Sequence, residues 1–335
     1  MSPLFDVASR LSAAGHALRR RGGIVLHPPR AVASNRPPRL TPGAPRFYRA
    51  AMRVGVISQL WRYPVKSMGG ERLDAAPLTW RGIPGDRGWA VFDETRQGIT
   101  GAKRLPPLRG CRARYTSPPF PGQASPGAEI TLPDGTRILT DAPGTPGRLS
   151  ELFGRPVSLR SLGPAGSETA PRLTSADESE ETVRELMGLL PGEPEADMSE
   201  FPPERLRLLR QGNHFDALPI HLLTRTTLRT LAALAPESDW DERRFRPNLL
   251  VEADDPTGYP EQAWVGRRLR VGSGVITVVT GCPRCVMVTQ PVEEVPQDHR
   301  VMRILVRETR HIAGIYAGVA DEGELRVGDE VHLLD

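Results

Sequence analysis

The sequence predicts a mainly β protein with some helices, of the α+β class, on the strength of three observations. Short β-branched runs recur along the 335 residues and are separated by Gly and Pro, without the helical crossovers that a parallel sheet needs. The composition, 39% hydrophobic and 25% charged, is that of a globular protein with room for two domains. No run of about 18 apolar residues occurs, so no membrane span is predicted. A barrel or sandwich is therefore favoured over a doubly wound fold.

The net charge of +4 is distributed unevenly along the chain. Residues 1–51 carry nine Arg, no Lys and one acid, a net charge of +8, so the remaining residues sum to −4. Because the body of the protein is mildly acidic, the charge does not indicate a nucleic-acid partner.

Residues 1–51 are predicted to be a leader or a disordered tail, with one amphipathic helix over 4–18. Their Arg-rich, acid-poor composition is similar to that of an organelle transit peptide, and the arginines at 19–21 are similar to a twin-arginine signal, although no apolar segment follows them. A simpler alternative is that translation starts at Met52, where the first strand-like segment begins.

The three cysteines are Cys111, Cys282 and Cys285. They do not make a disulfide framework, which predicts a reducing compartment, and they are too few for an ordinary iron–sulfur cluster. The heavy use of Arg, Ala, Gly and Pro indicates a GC-rich genome, so we expect a bacterial, cytoplasmic protein.

A first domain is predicted over residues 53–170. The segments with a strand pattern are 54–60, 89–92, 130–132, 136–139 and 157–159, and a short helix is expected over 147–153. Residues 171–204 form the predicted connection, because an acidic helical pattern over 177–190 leads there into a Pro-rich stretch.

A second domain is predicted over residues 205–335. Thr224 stands where an N-cap belongs, at the start of a helical pattern that reaches Leu234. The remaining predicted elements are an apolar segment over 215–223, strands over 269–271, 275–280 and 285–289, a helix over 301–308, and a strand–turn–strand over 323–334.

The stretch TGCPRCVMVTQ is the strongest candidate for chemistry. Two short strands are expected to flank a tight Gly-Cys-Pro turn, which places Cys285 beside Arg284. A neighbouring guanidinium favours the thiolate, which binds soft metals and attacks electrophiles. The alternative is that Cys285 is a small buried hydrophobe. A zinc ribbon lacks a second cysteine pair, and a thioredoxin-like pair would open a helix.

Four segments place polar residues in apolar surroundings: YPVKS at 63–67, DRGW at 86–89, RFRPN at 244–248 and the GCPRC turn at 281–285. Together their ammonium, guanidinium and amide groups suit a phosphate or a polar heterocycle. Taken singly, each has a structural explanation, such as a turn ion pair between Asp86 and Arg87.

These four segments, with the closing GIYAG and GELRVGDEV, resemble the MOSC superfamily, the molybdenum cofactor sulfurase C-terminal domain. The resemblance covers residues 53–335. The two-domain arrangement is similar to that of the amidoxime-reducing components. It implies an N-terminal β-barrel-like domain followed by a β-barrel MOSC domain.

The resemblance also implies roles for individual residues. Cys285 matches the thiolate that ligates molybdenum, and Tyr316 matches a tyrosine near the metal. Eight further residues match positions that bind the molybdenum-pterin cofactor, Mo-molybdopterin, or complete the cysteine turn: Lys66, Ser67, Arg87, Thr224, Arg246, Asn248, Pro283 and Arg284. Pro283 departs from the family, which has a small hydroxyl residue there, and this places substrate preference in question.

The implied function is a molybdenum-dependent oxidoreductase that reduces small N-hydroxylated compounds. The sequence ends at Asp335 without a ferredoxin-like extension, so the electrons are expected from a separate flavin, iron–sulfur or cytochrome protein. The alternative is a sulfur carrier that holds a persulfide on Cys285, since MOSC domains are associated generically with pyridoxal-phosphate-dependent sulfurases. The two lysines, Lys66 and Lys103, leave no evident pyridoxal site. A cofactor-less binding protein is a third reading.

Overall fold

A computed structural model describes residues 51–164, 167–168, 170–173, 178–195 and 213–334. All of them belong to one compact unit, Tyr48–Asp335. The predicted helix over 4–18, and the parts of the predicted connection at 174–177 and 196–204, lie outside the described residues.

The described part of the chain contains sixteen strands and five α-helices. The strands are β1 Met52–Arg62, β2 Glu71–Leu73, β3 Ala75–Leu78, β4 Trp89–Asp93, β5 Gly98–Ile99, β6 Arg112–Tyr115, β7 Ala128–Thr131, β8 Arg137–Leu139, β9 Val157–Ser161, β10 Ile220–Thr224, β11 Leu249–Ala253, β12 Arg268–Val271, β13 Gly274–Pro283, β14 Ile312–Asp321, β15 Gly323–Arg326 and β16 Glu330–Leu334. The helices are α1 Thr145–Phe153, α2 Glu180–Met187, α3 Arg225–Leu234, α4 Glu242–Phe245 and α5 Arg300–Thr309, and short 3-10 helices lie at Pro106–Gly110, Pro260–Trp264 and Val286–Thr289.

Seven strands close into a barrel in the order β11, β10, β14, β13, β12, β16 and β1, and β1 pairs back onto β11. Pairing is antiparallel throughout the barrel except between β10 and β11. Alternate side chains fill the interior, among them Ile57, Leu222 and Val251. A barrel of this kind leaves no free edge along its closed strands.

Strands β10 and β11 are buried on both faces, because a helical layer covers their outer side. Leu222 points into the barrel core, whereas Leu223 joins the second apolar cluster, to which α3 and α5 contribute Leu231 and Leu305. This double burial explains why IHLLT and LLV are continuous apolar runs in the sequence.

The N-terminal part builds a third apolar cluster from two three-stranded sheets, β5-β4-β9 and β6-β7-β8, with α1 packed on them. Helix α1 ends at Gly154, which adopts φ 64° as a left-handed C-cap. The predicted mainly β fold with β-barrel architecture is confirmed. The domain boundaries at 170 and 204 stay a prediction.

The predicted strand over 285–289 is wrong, and so is the tight turn before it. Residues 281–283 are the end of β13, and Val286–Thr289 is a 3-10 helix. Periodicity cannot distinguish a short apolar strand from a buried helical turn. Here the amide of Val288 donates to the carbonyl of Cys285 at 3.2 Å, and the Thr289 hydroxyl donates to the carbonyl of Val286 at 2.8 Å. These local bonds hold the turn while Val288 packs into the helical core.

Candidate functional site

Three of the predicted site residues have a left-handed backbone, which is unusual for side chains other than glycine. The φ angles are 70° at Ser67, 50° at Arg87 and 60° at Arg246. Such a conformation costs about 1–3 kcal/mol per residue and persists where the surrounding structure demands it. The backbone is therefore strained at three places that the sequence had singled out for other reasons.

Two of these residues meet on one aromatic ring. The guanidinium carbon of Arg246 lies 4.2 Å from the ring centroid of Tyr63, and that of Arg87 lies 4.6 Å from it. Tyr63 is 2% exposed, and its hydroxyl donates to the carbonyl of Pro247 at 3.0 Å. The ring thus fixes two cations side by side by cation–π contact.

Asp86 and Asn248 fix the position of Arg87 through polar contacts. The Asp86 carboxylate pairs with Arg87 and accepts from the Tyr63 amide at 2.8 Å and from Asn248 Nδ2 at 2.9 Å. The other side of the Asn248 amide is also engaged, because its Oδ1 accepts from the backbone of His221 at 3.1 Å. Asn248 is 1% exposed, so the structure gives it a role in holding Arg87 and Asp86 in place.

The electrostatic environments of the two arginines differ. Burial lowers the pKa of Arg87, and the neighbouring Asp86 carboxylate raises it. The net result is a pKa above the ordinary value. The pKa of Arg246 is lowered by burial and by the charges of Arg87 and Arg109. Arg246 donates to the carbonyl of Met68, and the described residues give it no ion pair.

Lys66 is connected to Arg87 through His214. Its ammonium donates to the carbonyl of His214 at 3.0 Å and pairs with Asp216. The ring of His214 in turn contacts the carbonyl of Arg87 at 3.1 Å. Burial lowers the pKa of Lys66 to about 8, against the opposing effect of Asp216. The neighbouring Ser67 is buried next to Gly101, where a Cβ would lie 2.8 Å from the Ser67 hydroxyl.

Arg284 joins the cysteine turn to this cluster. It donates to Cys282 Sγ at 2.8 Å through Nη1 and to the carbonyl of Phe245 at 2.7 Å through Nη2. Its Nη1 also lies 3.4 Å from His221 Nε2. Because a guanidinium can only donate, Nε2 of His221 accepts and the ring proton sits on Nδ1, which faces the carbonyl of Arg246 at 3.3 Å.

The two cysteines of the turn have different surroundings. Cys282 is fully buried, and burial raises the pKa of its thiol even though Arg284 lowers it. Cys285 is half-buried and begins the 3-10 helix Val286–Thr289, and its sulfur makes no hydrogen bond to the described residues. Cys285 is therefore the accessible thiol of the pair, as the sequence interpretation requires.

Tyr316 and Pro283 lie on the neighbouring strands of the barrel. Tyr316, on β14, is 5.7 Å from the His221 ring and hydrogen-bonds Cys282. Burial, with the charge of Cys282, raises the pKa of its phenol well above the ordinary value. Pro283 is the last residue of β13 and pairs with Ile312.

Thr224 is the predicted residue that the structure does not bring to this cluster. It is fully buried, and its hydroxyl contacts Glu261 Oε2 at 2.6 Å and accepts from the Thr227 amide at 3.1 Å. The predicted N-cap is confirmed. Its predicted contact with a phosphate stays a prediction, and the hydroxyl would have to leave Glu261 to make it.

The sequence interpretation missed four residues that build the site: Tyr63, Asp86, His221 and Arg109. Tyr63 and Asp86 stood inside two of the four polar segments, so the aromatic platform could have been suspected. His221 lies in the predicted apolar segment over 215–223, for which no chemical role was predicted. Arg109 carried no signal at all, since it is one arginine among many in a Pro-flanked loop.

The arrangement is a buried patch of positive charge. Arg246 is 7% exposed and Arg284 is 9% exposed, and the described part of the chain offers neither an ion pair. The Nε donor of Arg284 also has no partner among the described residues. An unpaired buried charge costs several kcal/mol, so such a patch suits an anionic ligand such as a phosphate.

Within the described residues, no group of three or more His, Cys, Asp or Glu side chains could hold a metal ion. In the same part of the chain, no helix is both long and apolar enough to cross a membrane.

Comparison with known proteins gives two family matches. Residues 54–143 match the MOSC N-terminal beta barrel domain, and residues 211–332 match the MOSC domain. The first match covers the Lys66 and Arg87 segments, and the second covers the Arg246 and Cys285 segments.

Curated relatives resemble the chain over most of its length. A protein of Bos taurus named mitochondrial amidoxime reducing component 2 is 27% identical over 306 residues, which cover 85% of each chain. Its namesake from Homo sapiens is 25% identical over 315 residues and 87% of each chain. Among solved structures, the YUAD protein of Bacillus subtilis covers 85% of this chain and 99% of its own at 12% identity, with a TM-score of 0.39.

Proposed function

The chain belongs to the MOSC domain family, with a MOSC N-terminal β-barrel domain ahead of its MOSC domain, and on this premise we propose that it is a molybdenum-cofactor-dependent oxidoreductase. Its substrates are small N-hydroxylated compounds, and its electrons come from a separate donor protein. The names of the relatives, which are amidoxime reducing components, support this substrate class.

One observation carries the proposal: the half-exposed Cys285 lies by Arg284, and Arg284 and Arg246 are buried cations without an ion pair among the described residues. A phosphate-bearing cofactor would supply the negative charge that this patch lacks. A thiolate at Cys285 would supply a soft ligand for the metal. The residues present therefore fit a molybdenum-pterin cofactor.

Each residue would have a distinct task when the cofactor is bound. Arg246, Arg87 and Lys66 would bind its anionic end, with Tyr63 keeping the two guanidinium groups in position. Cys285 would ligate the metal through its sulfur. The cofactor supplies the two-electron redox chemistry, and the protein tunes it through these contacts.

The overall reaction consumes two electrons and two protons. The N–O bond of the substrate breaks, one proton forms a new N–H bond to give the parent amidine or amine, and the other joins the departing hydroxyl, which leaves as water. Protons must therefore be delivered to the pocket. Because burial raises the pKa of Tyr316, its hydroxyl remains protonated at neutral pH and can donate to an oxygen near the turn.

We also propose a cytoplasmic location, since all three cysteines are free and two of them, Cys111 and Cys282, are buried thiols.

The test is the reduction of an amidoxime by the purified holoenzyme with a chemical electron donor. We expect the wild-type protein and Cys282→Ala to convert amidoxime to amidine, and Cys285→Ser to lose at least about 100-fold in rate because its metal ligand is gone. Full activity in Cys285→Ser would contradict the proposal. A labile extra sulfur on Cys285 without pterin, seen by mass spectrometry, would favour the sulfur carrier.

A further inference from the structure

Arg109 is a guanidinium that the fold buries without completing its interactions. It lies in the 3-10 helix Pro106–Gly110 and is 1% exposed. Leu108 and Cys111, on either side, pack into the N-terminal apolar cluster. The backbone is thereby fixed, and the long side chain extends towards helix α4 at Arg243.

Most of the donor capacity of Arg109 is unused. A guanidinium has five N–H donors, and Arg109 Nη2 donates to the carbonyl of Arg243 at 3.0 Å. Its Nε and Nη1 have no hydrogen-bond partner among the described residues. Leaving buried donors unpaired is unfavourable, and more so for charged groups.

The charge of Arg109 is also uncompensated, because the described residues give it no ion pair. Burial lowers its pKa to about 10, and the charges of Arg244 and Arg284 act in the same direction. The side chain therefore remains charged at neutral pH. Tyr63 and Cys285 are the nearby groups whose negative forms would favour that charge.

Arg244 shows that this fold can satisfy a buried arginine when the arginine is structural. It is completely buried, and it donates to the carbonyls of Asp239 at 2.8 Å and of Val288 and Gln290 at 3.3 Å. A fourth bond reaches the carbonyl of Pro296 at 2.6 Å. These bonds tie the segment after Cys285 to α4. Arg109 lies near Arg244 and has one such bond.

We propose that Arg109 is a further ligand-binding residue of the site, and that its Nε and Nη1 donors bind oxygen atoms of a phosphate-class anion that Arg246 and Arg284 also attract. The inference rests on the proposed function in one respect, since the cofactor is one source of that anion and free phosphate is the other. The two donors have no solvent-accessible surface, so an oxygen atom reaches them only when the Arg109 side chain or its neighbours shift, and the charge-assisted hydrogen bonds formed there are shielded from water and therefore strong.

Apo-protein from a host without the cofactor pathway provides the test, with inorganic phosphate as the probe. Thermal unfolding is measured with and without phosphate for the wild type, Arg109→Met and Arg244→Met. We expect phosphate to stabilise the wild type, and Arg109→Met to weaken its affinity about ten- to a hundredfold. We also expect apo Arg109→Met to melt no lower than the wild type, because an uncompensated buried charge has been removed.

Arg244→Met is the matched control, a buried arginine of the same neighbourhood with its hydrogen bonds made. It should lower the melting temperature with and without phosphate. If Arg109→Met behaves like this control, or if the wild type shows no response to phosphate, the proposal is overturned. Should Arg109→Met not fold, Arg109→Lys keeps the charge and loses the Nη donors, and an unchanged phosphate affinity in that variant would have the same meaning.

The pterin content of the same variants, expressed in a cofactor-competent host, separates the sources of the anion. Loss of pterin from Arg109→Met assigns the contact to the cofactor. Failure of the wild type to bind pterin would contradict the proposed function alone, because the phosphate response of the apo-protein is measured independently of it.

Discussion

At the scale of single residues, Lys66 carries a charge that titrates close to neutral pH. Burial lowers its pKa to about 8, while Asp216 opposes the shift. Lys66 itself is 8% exposed, although the Asp216 side chain is open to solvent. The binding of an anion that contacts this ammonium therefore depends on pH in a range in which free arginines stay charged.

We predict that phosphate binds the apo-protein about tenfold more weakly at pH 9 than at pH 7, because Lys66 loses its proton over this interval and with it a charge-assisted hydrogen bond. Isothermal calorimetry at the two pH values measures the change. Phosphate is mostly dianionic from just above pH 7, so the ligand does not cause a loss in this direction.

The effect of Lys66 on folding stability has the opposite sign. Its pKa in the folded protein lies below the ordinary lysine value of 10.5, so between these two pH values the unfolded chain binds the proton and the folded chain does not. The contribution of Lys66 to stability is therefore full above the unfolded pKa and is lost as the pH falls through about 8.

The control for the binding prediction is a Lys66→Met protein, in which phosphate binding should no longer depend on pH. If the pH dependence of binding persists in that variant, Lys66 is not its cause.

Some residues of the site could be predicted from sequence motifs and others could not. Lys66, Arg87, Arg246 and Arg284 stood in motifs and converge in the structure. Arg109 stood in no motif, because its burial depends on segments far along the chain, such as helix α4 at Arg243. Asn248 was predicted to bind the cofactor, which stays a prediction, and its amide contacts protein groups that the sequence could not identify.

At the scale of elements, the start of α3 is held by a buried carboxyl group. Glu261 contacts the hydroxyls of Thr224 at 2.6 Å and Thr227 at 2.7 Å, and it is completely buried. Burial raises its pKa, and the two hydroxyls oppose that shift. The N-terminus of α3 is thus occupied by a residue of this chain, whose carboxyl group suits the positive end of the helix dipole.

We predict that Thr224→Ala lowers the free energy of unfolding by about 1–2 kcal/mol, since it removes the N-cap and one hydrogen bond to Glu261. Its phosphate affinity should equal that of the wild type. Urea denaturation and calorimetry provide the two measurements. An unchanged stability with weakened phosphate binding would instead support the role that the family resemblance implied for Thr224.

Elements with long-range partners were the least predictable from sequence. The helices over 147–153 and 301–308 were found within one or two residues, because capping and helical spacing are local signals. The segment over 285–289 was predicted to be a strand because its β-branched residues suit a strand. In the structure it is a 3-10 helix, which contacts Arg244 and α5, and these lie far along the chain. Strand β14, rich in Gly, gave no strand pattern.

At the scale of the whole molecule, the first strand closes a barrel whose other strands come from the C-terminal part of the sequence. β1 pairs with β11 on one side and β16 on the other. Gly55 is paired with Ala253 and with Val331, and a Cβ on it would lie 2.5 Å from the carbonyl oxygen of Glu252. The same strand leads directly to Tyr63 and Lys66, so barrel closure places the site.

We predict that Gly55→Ala lowers the free energy of unfolding by about 1–3 kcal/mol, because backbone at the closure must shift. Gly318→Ala is the control, since Gly318 also lies in a barrel strand and a Cβ there meets no atom within 4 Å. Equal stability of the two variants would mean that β1 does not close the barrel as tightly as the pairing indicates.

The measurement that tests the central claim most directly is the molybdenum and pterin content of the full-length protein from a host that makes the cofactor. The account predicts equimolar molybdenum and pterin in the wild type and in Cys282→Ala, and loss of most of the molybdenum from Cys285→Ser. A wild type that binds neither, or a Cys285→Ser protein with its full complement of metal, would contradict it.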